Sequence, residues 1–138
     1  MTELESNVLG MFLAGDHPTL ATLRRQLNSA TVAGRNLTGV GFFTDFHIPE
    51  DVPRLSKPKE LVVGDVVGEL SGVPCGFLLF IKDGALRTLE GFVYGNDKWP
   101  TAWTSENLHY VRQRSPGSPS MVETIERDHA AIQEKLGG

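Results

Sequence analysis

Apolar side chains recur every three or four residues at the start of the chain, and every second residue from about Val32 to Tyr94. The first period predicts two short helices. Leu4, Val8 and Phe12 share one face over residues 3–14, and Gly15 is placed to end that helix as a C-cap. Asp16 reads as the next N-cap, with Pro18 in the first turn, where its missing N–H does no harm. Leu20, Leu23, Leu27 and Ala30 continue the stripe, while Arg24 and Arg25 fall on its outer side. The second period predicts four strands: Leu37–Phe46, Leu61–Leu70, Gly76–Lys82 and Ala85–Tyr94. Between the first two, "IPEDVPRLSKPKE" carries three prolines and reads as a loop or lid.

Asp83-Gly84 predicts a two-residue hairpin turn with positive φ at both positions. Strict alternation from that turn would set Leu79 opposite Thr88, Leu78 opposite Leu89, Phe77 opposite Glu90 and Gly76 opposite Gly91. One face then carries Phe77, Leu79, Ile81, Leu86, Phe92 and Tyr94, and the other Leu78, Phe80, Leu89 and Val93. An antiparallel sheet with a wet side alternates apolar with polar. The expectation is therefore a sheet sheltered on both sides, by the N-terminal helices on one and by the C-terminal segment or a second subunit on the other. A flank of residues 76–94 left open in the single chain would undo that expectation.

Beyond Trp99-Pro100 the period is lost. Ser115–Ser120 reads as a linker, and Ser120 with Glu123 matches a capping box. Val122, Ile125, His129, Ile132 and Leu136 then form a narrow helical stripe that needs a surface to dock on. The predicted architecture is α+β: two N-terminal helices on a mainly antiparallel sheet of about four strands, then a C-terminal helix. Residues 1–100 form the domain, and 101–138 an extension with a linker and a docking helix.

A formal net charge of −4 offers no basic surface for nonspecific nucleic-acid binding. No apolar run is long enough to span a bilayer, and the short run Val8–Ala14 follows acidic residues, unlike a signal peptide, so a cytoplasmic location is expected. Cys75 is the single cysteine, which leaves no internal disulfide and no cysteine-based zinc site. Its apolar neighbours make it a small buried hydrophobe rather than a nucleophile. His17, His47, His109 and His129 lack metal-ligand spacing, and "TGVG" lacks the strand–turn–helix context of a dinucleotide loop, so no metal and no cofactor are expected.

Three constellations remain. Asp65 and Glu69, four apart on one predicted strand, share a face, and Glu90 on a neighbouring strand would bring three carboxylates to one patch. Such a patch suits a cation or acid–base work; the plainer reading is a solvated strand face. Glu90 lies among apolar residues and calls for a partner: Arg24 or Arg25 from the helix above, a hydroxyl, or a ligand. Asp45 and His47 share a face with Phe43, and an Asp–His pair could orient a base, although no nucleophile lies nearby in sequence. Tyr94, Trp99 and Trp103 surround a loop, as interface aromatics do and as ordinary core aromatics do. Gly39, Gly41, Gly64, Gly68, Gly76 and Gly91 would floor a groove if their faces coincide. The catalytic candidates are thus Asp45, His47 and Glu90. The binding candidates are Phe43, Asp65, Glu69, Glu90, Tyr94, Trp99 and Trp103.

"LTGVGFFTDF", "GDVVGEL", "GFLLFIKDGALRTLEGFVYG" and "KWP", in this order, resemble a family of small bacterial proteins without a known activity. The resemblance covers residues 8–100 and carries over no functional residue. Two functions stay open. One is a non-catalytic binding protein, an adaptor or immunity-type inhibitor with a protein partner or a second copy. The other is a small enzyme or small-molecule binder using the carboxylate and histidine groove.

Overall fold

The computed structural model describes residues 1–103 and 107–137. Among these residues three helices, α1 (Glu3–Phe12), α2 (Pro18–Ser29) and α3 (His129–Lys135), accompany eight strands. The strands are β1 (Thr31–Leu37), β2 (Gly41–His47), β3 (Leu61–Val63), β4 (Val66–Leu70), β5 (Val73–Lys82), β6 (Ala85–Val93), β7 (Leu108–Gln113) and β8 (Met121–Thr124). The sheet runs β1-β2-β6-β5-β4-β7-β8, with β3 beside β5 as well, and every described pairing is antiparallel. The α+β class holds, but the sheet has eight strands rather than about four.

Two of the predicted strands are split. Thr38–Val40 is a turn, closed by Thr38 N–H donating to Gly41 O at 3.0 Å, with Gly39 at φ 87°. The stretch Leu61–Leu70 breaks at Gly64-Asp65, and its halves lie along different parts of β5. The tail adds the last two strands. Met121–Thr124, expected to open a helix, pairs with β7 instead, and only residues 129–135 are helical. The capping-box match at Ser120 is overridden by the ladder bonds that β7 offers.

The helices form as their stripes require. Thr2 and Glu5 make a capping box on α1. His17 rather than Asp16 caps α2, its Nδ1 accepting from Thr19 N–H at 3.1 Å. Leu4, Val8, Leu9 and Phe12 of α1 and Leu20 and Leu23 of α2 bury against Phe42, Phe77, Leu79 and Leu89 of the sheet. Ile132 and Leu136 of α3 and Tyr110 of β7 join the same core.

The last turn of α1 contains no basic residue. Its end is closed from elsewhere. Arg24 donates to Leu13 O and Gly15 O, Arg127 donates to Phe12 O and Ala14 O, and the Tyr110 hydroxyl donates to Met11 O. Two guanidinium cations at a helix C-terminus suit both its free carbonyls and its dipole.

The hairpin turn forms as predicted, with Asp83 at φ 53° and Gly84 at φ 76°. The register beyond it does not. Lys82 pairs with Ala85 and Ile81 with Leu86, and then a one-residue irregularity sets Phe80 opposite Thr88, Leu79 opposite Leu89, Leu78 opposite Glu90 and Phe77 opposite Gly91. The shift brings Leu86 and Leu89 to the core together, which strict alternation forbids. It moves Glu90 to the side of Leu78 and Phe80. The core side is fully apolar and the other side is mixed, so the expected double shelter fails. The apolar stripes of all three helices enter one core; among the described residues no helix covers the far side of β2 and β6, and β8 with the flank of α3 walls only a cleft beside Leu78 of β5.

Candidate functional site

That far side is the outer face of the sheet, and the ladders order it into rows. Phe43, Glu90 and Leu78 stand side by side on β2, β6 and β5. Asp45, Thr88 and Phe80 form the next row, and Gly41, Phe92 and Gly76 the row on the other side. Phe92 and Tyr94 stack edge to face with ring centroids 5.4 Å apart. They lie over Gly76, where a Cβ would come within 2.4 Å of the Tyr94 hydroxyl and 2.8 Å of Phe92 Cζ. The glycine thus makes room for two rings, not for a helix.

Several apolar side chains are exposed together here. Phe43 is 36% exposed, Val62 42%, Tyr94 49% and Met121 50%, and Leu78, Phe80 and Phe92 are half-buried, while the still more exposed Leu37, Val40 and Ile125 stand singly outside these rows. Two clefts border the central rows. One, of about 510 Å³, runs between Phe43, Asp45 and Thr88 on one side and Val62 and Phe80 on the other. The second, of about 620 Å³, lies where β7 leaves the β3–β4 line, walled by Leu78, Val111, Met121 and the Asp128–Lys135 flank of α3.

The predicted site residues separate into several places. Phe43, Asp45, Glu90 and Tyr94 lie on the outer face. His47 is exposed at the end of the same strand, and the Asp45 carboxylate accepts from the Thr88 hydroxyl at 2.7 Å rather than orienting an imidazole. Glu69 stands on the outer side of β4, exposed. Asp65 turns away from it at the strand break and accepts from Arg127 at 2.8 and 3.0 Å. The three carboxylates Asp65, Glu69 and Glu90 do not converge. Among the described residues no group of three His, Cys, Asp or Glu side chains is placed to hold a metal ion.

Trp99 and Trp103 leave Tyr94 and go to the core side. Both pack on Phe42, at ring-centroid distances of 5.2 and 4.6 Å, and Trp99 also meets Phe77 edge-on.

Glu90 makes no hydrogen bond or ion pair with the other described residues. Arg24, a proposed partner, is instead engaged at the end of α1. Burial beside Phe43 and Leu78 pushes the Glu90 carboxyl up. The fully buried carboxylate is Glu5, held by Arg35, Thr44 and the Thr2 amide. Cys75 is buried in the core, and burial, with the Glu69 charge adding, pushes its thiol up to about 11, which suppresses the reactive thiolate.

Leu78, Phe80, Phe92, Val62 and Met121 belong to this face but were not among the binding candidates read from the sequence. Leu86 and Leu89 are the signal that could have found them. Two large apolar residues three apart in a strand share a face only across a bulge, and Arg87 is the residue that steps out.

No helix among the described residues is long and apolar enough to cross a membrane. No protein-family model matches the chain, and neither a curated protein nor a solved structure matches it.

Proposed function

We propose that the chain is a non-catalytic binding protein that docks a protein partner on the outer face of its sheet, as a cytoplasmic adaptor or an immunity-type inhibitor. The family of small bacterial proteins that its strand motifs resemble is a setting consistent with that role. The observation that carries the reading is the run of exposed and half-buried apolar side chains from Phe43 through Leu78 and Phe80 to Val62, which none of the described helices covers. Contiguous apolar surface rimmed by polar groups marks an interaction site more often than a structural accident. The enzymatic alternative draws less support. Its residues are dispersed, with Asp65 committed to Arg127 and Asp45 to Thr88.

Affinity capture from lysate with the wild-type chain and with a Phe43→Ser, Phe80→Ser double variant, read by native mass spectrometry, tests the reading. A partner held by the wild type and lost by the folded variant is expected. A partner held equally by both would refute it, and a bound small molecule would shift the case to the alternative.

A further inference from the structure

We infer that the partner sets one lysine or arginine, flanked by aliphatic or aromatic side chains, over Glu90; this rests on the docking reading above. Glu90 occupies the middle position of the middle row, with Phe43 on one side and Leu78 on the other. Along β6 its same-face neighbours are Thr88 and Phe92, and the Thr88 hydroxyl is already donated to Asp45. The carboxylate therefore has no partner among the described residues and sits in a field of apolar groups. Arg87, the nearest cation along β6, steps out at the bulge and faces Asp83 at 3.4 Å.

A partner that covered Phe43 and Leu78 with purely apolar atoms would strip water from Glu90 and leave a desolvated charge, a severe penalty. A partner bringing an ammonium or guanidinium group turns the same position into a charge-assisted contact. The surrounding charges point the same way. By ladder register Asp45, Glu69 and Glu123 share the outer side with Glu90, against Lys82 and Arg87, which line the cleft beside Phe43 and Phe80 and of which Arg87 already faces Asp83. The net charge of −4 favours approach of a cationic surface.

Other occupants fit less well. A second copy joined by a two-fold axis through the central row would set Glu90 against Glu90. A nucleic acid would set phosphates against four carboxylates.

The test is selection of random-sequence displayed peptides on the immobilised full chain, followed by titration calorimetry of a synthetic consensus peptide. The titrations compare the wild type with Glu90→Gln and Phe43→Ser, each checked for folding by circular dichroism and melting. A consensus with one Lys or Arg between apolar residues is expected, with binding weakened about tenfold or more by Glu90→Gln and lost in Phe43→Ser. Selected peptides without a basic residue, or equal affinity for Glu90→Gln, overturn the inference and leave the docking face standing. Peptides that bind Phe43→Ser as well as the wild type, or a selection yielding no binder, overturn the docking face itself. Light scattering that shows a dimer which Phe43→Ser dissociates assigns the face to a second copy and overturns the inference.

Discussion

Arg127 Nε lies 2.8 Å from Asp65 Oδ2, and Arg127 Nη2 lies 3.0 Å from Asp65 Oδ1, a two-point contact between residues far apart in sequence. Asp65 stands at the break between β3 and β4. The third nitrogen of the same guanidinium donates to Phe12 O and Ala14 O. One side chain thereby ties the segment before α3 to the strand break and to the end of α1. A planar fork with five donors can do this; a lysine, with a compact head, cannot match the two-point geometry.

Arg127→Ala should lower stability by about 3 kcal/mol, since it strands a partly buried carboxylate and two helix-end carbonyls. Arg127→Lys should recover only part of that loss. Urea unfolding of the three proteins measures both effects. Limited proteolysis should show the first cut of the alanine variant falling near residues 114–128. An unchanged midpoint in Arg127→Ala would show that the contact is dispensable.

Glu5 supplies the pH dependence. Burial pushes its carboxyl up, but the Arg35 guanidinium, the Thr2 amide and the Thr44 hydroxyl together hold it below the ordinary value of 4.5. A carboxyl kept ionised in the folded chain contributes stability above its unfolded pKa and loses it as pH falls through the lowered folded value. The stability gap between the wild type and Glu5→Gln should therefore be constant near neutrality, at about 2 kcal/mol given that Arg35 stays partly hydrated. It should then narrow as pH falls below 4.5. Denaturation midpoints across that range check it, and a gap that widens on acidification would contradict the assignment.

The two N-terminal helices were legible because their stripes are local: Leu4, Val8 and Phe12 need no knowledge of the rest of the chain, whereas the C-terminal stripe begins in a strand. The Asp83-Gly84 turn was legible for the same reason. What strict alternation hid is the bulge at Arg87. One extra residue exchanged the faces of Leu89 and Glu90, made both sides look equally apolar, and concealed the row of Phe43, Glu90 and Leu78. Local spacing marks Glu5 only as the capping-box partner of Thr2; its hold on Arg35 and Thr44, 30 and 39 residues away, and that of Arg127 on Asp65, 62 residues away, were unreadable. Gly39 and Gly41, grouped by the sequence in one groove, serve two different ends.

Gln26 is fully buried and uses its whole amide. Its Nε2 donates to Pro53 O at 3.0 Å and to Gly84 O at 2.9 Å, and its Oε1 accepts from Leu86 N–H at 2.9 Å. It pins the β5–β6 turn and the proline-rich loop to α2. Gln26→Leu keeps the volume but leaves Pro53 O and Leu86 N–H without their side-chain partner, while Gly84 O keeps the Leu55 N–H, so a loss of about 2 kcal/mol or more is expected. Faster amide exchange at Leu86 should accompany it. A Leu86 amide as protected as in the wild type would contradict the pinning role.

Gly39 and Gly41 should separate cleanly when each is replaced by alanine. Gly39 sits in the turn before β2 at φ 87°, with open space where a Cβ would go. Its replacement meets only the backbone penalty of a left-handed position, about 1 kcal/mol. Gly41 has ordinary strand geometry, but a Cβ there would lie 2.0 Å from Gly91 O and 2.9 Å from Gly91 C. That obstacle is main chain of the adjoining strand, which cannot rotate aside. Relief requires β2 and β6 to part, and with them Phe42, whose ring is wedged against Trp99 and Trp103. Gly41→Ala should therefore cost several times more than Gly39→Ala, and near-ultraviolet circular dichroism should report the disturbed tryptophans only in the former. Equal melting temperatures for the two variants would show that the strands have slack at this crossing.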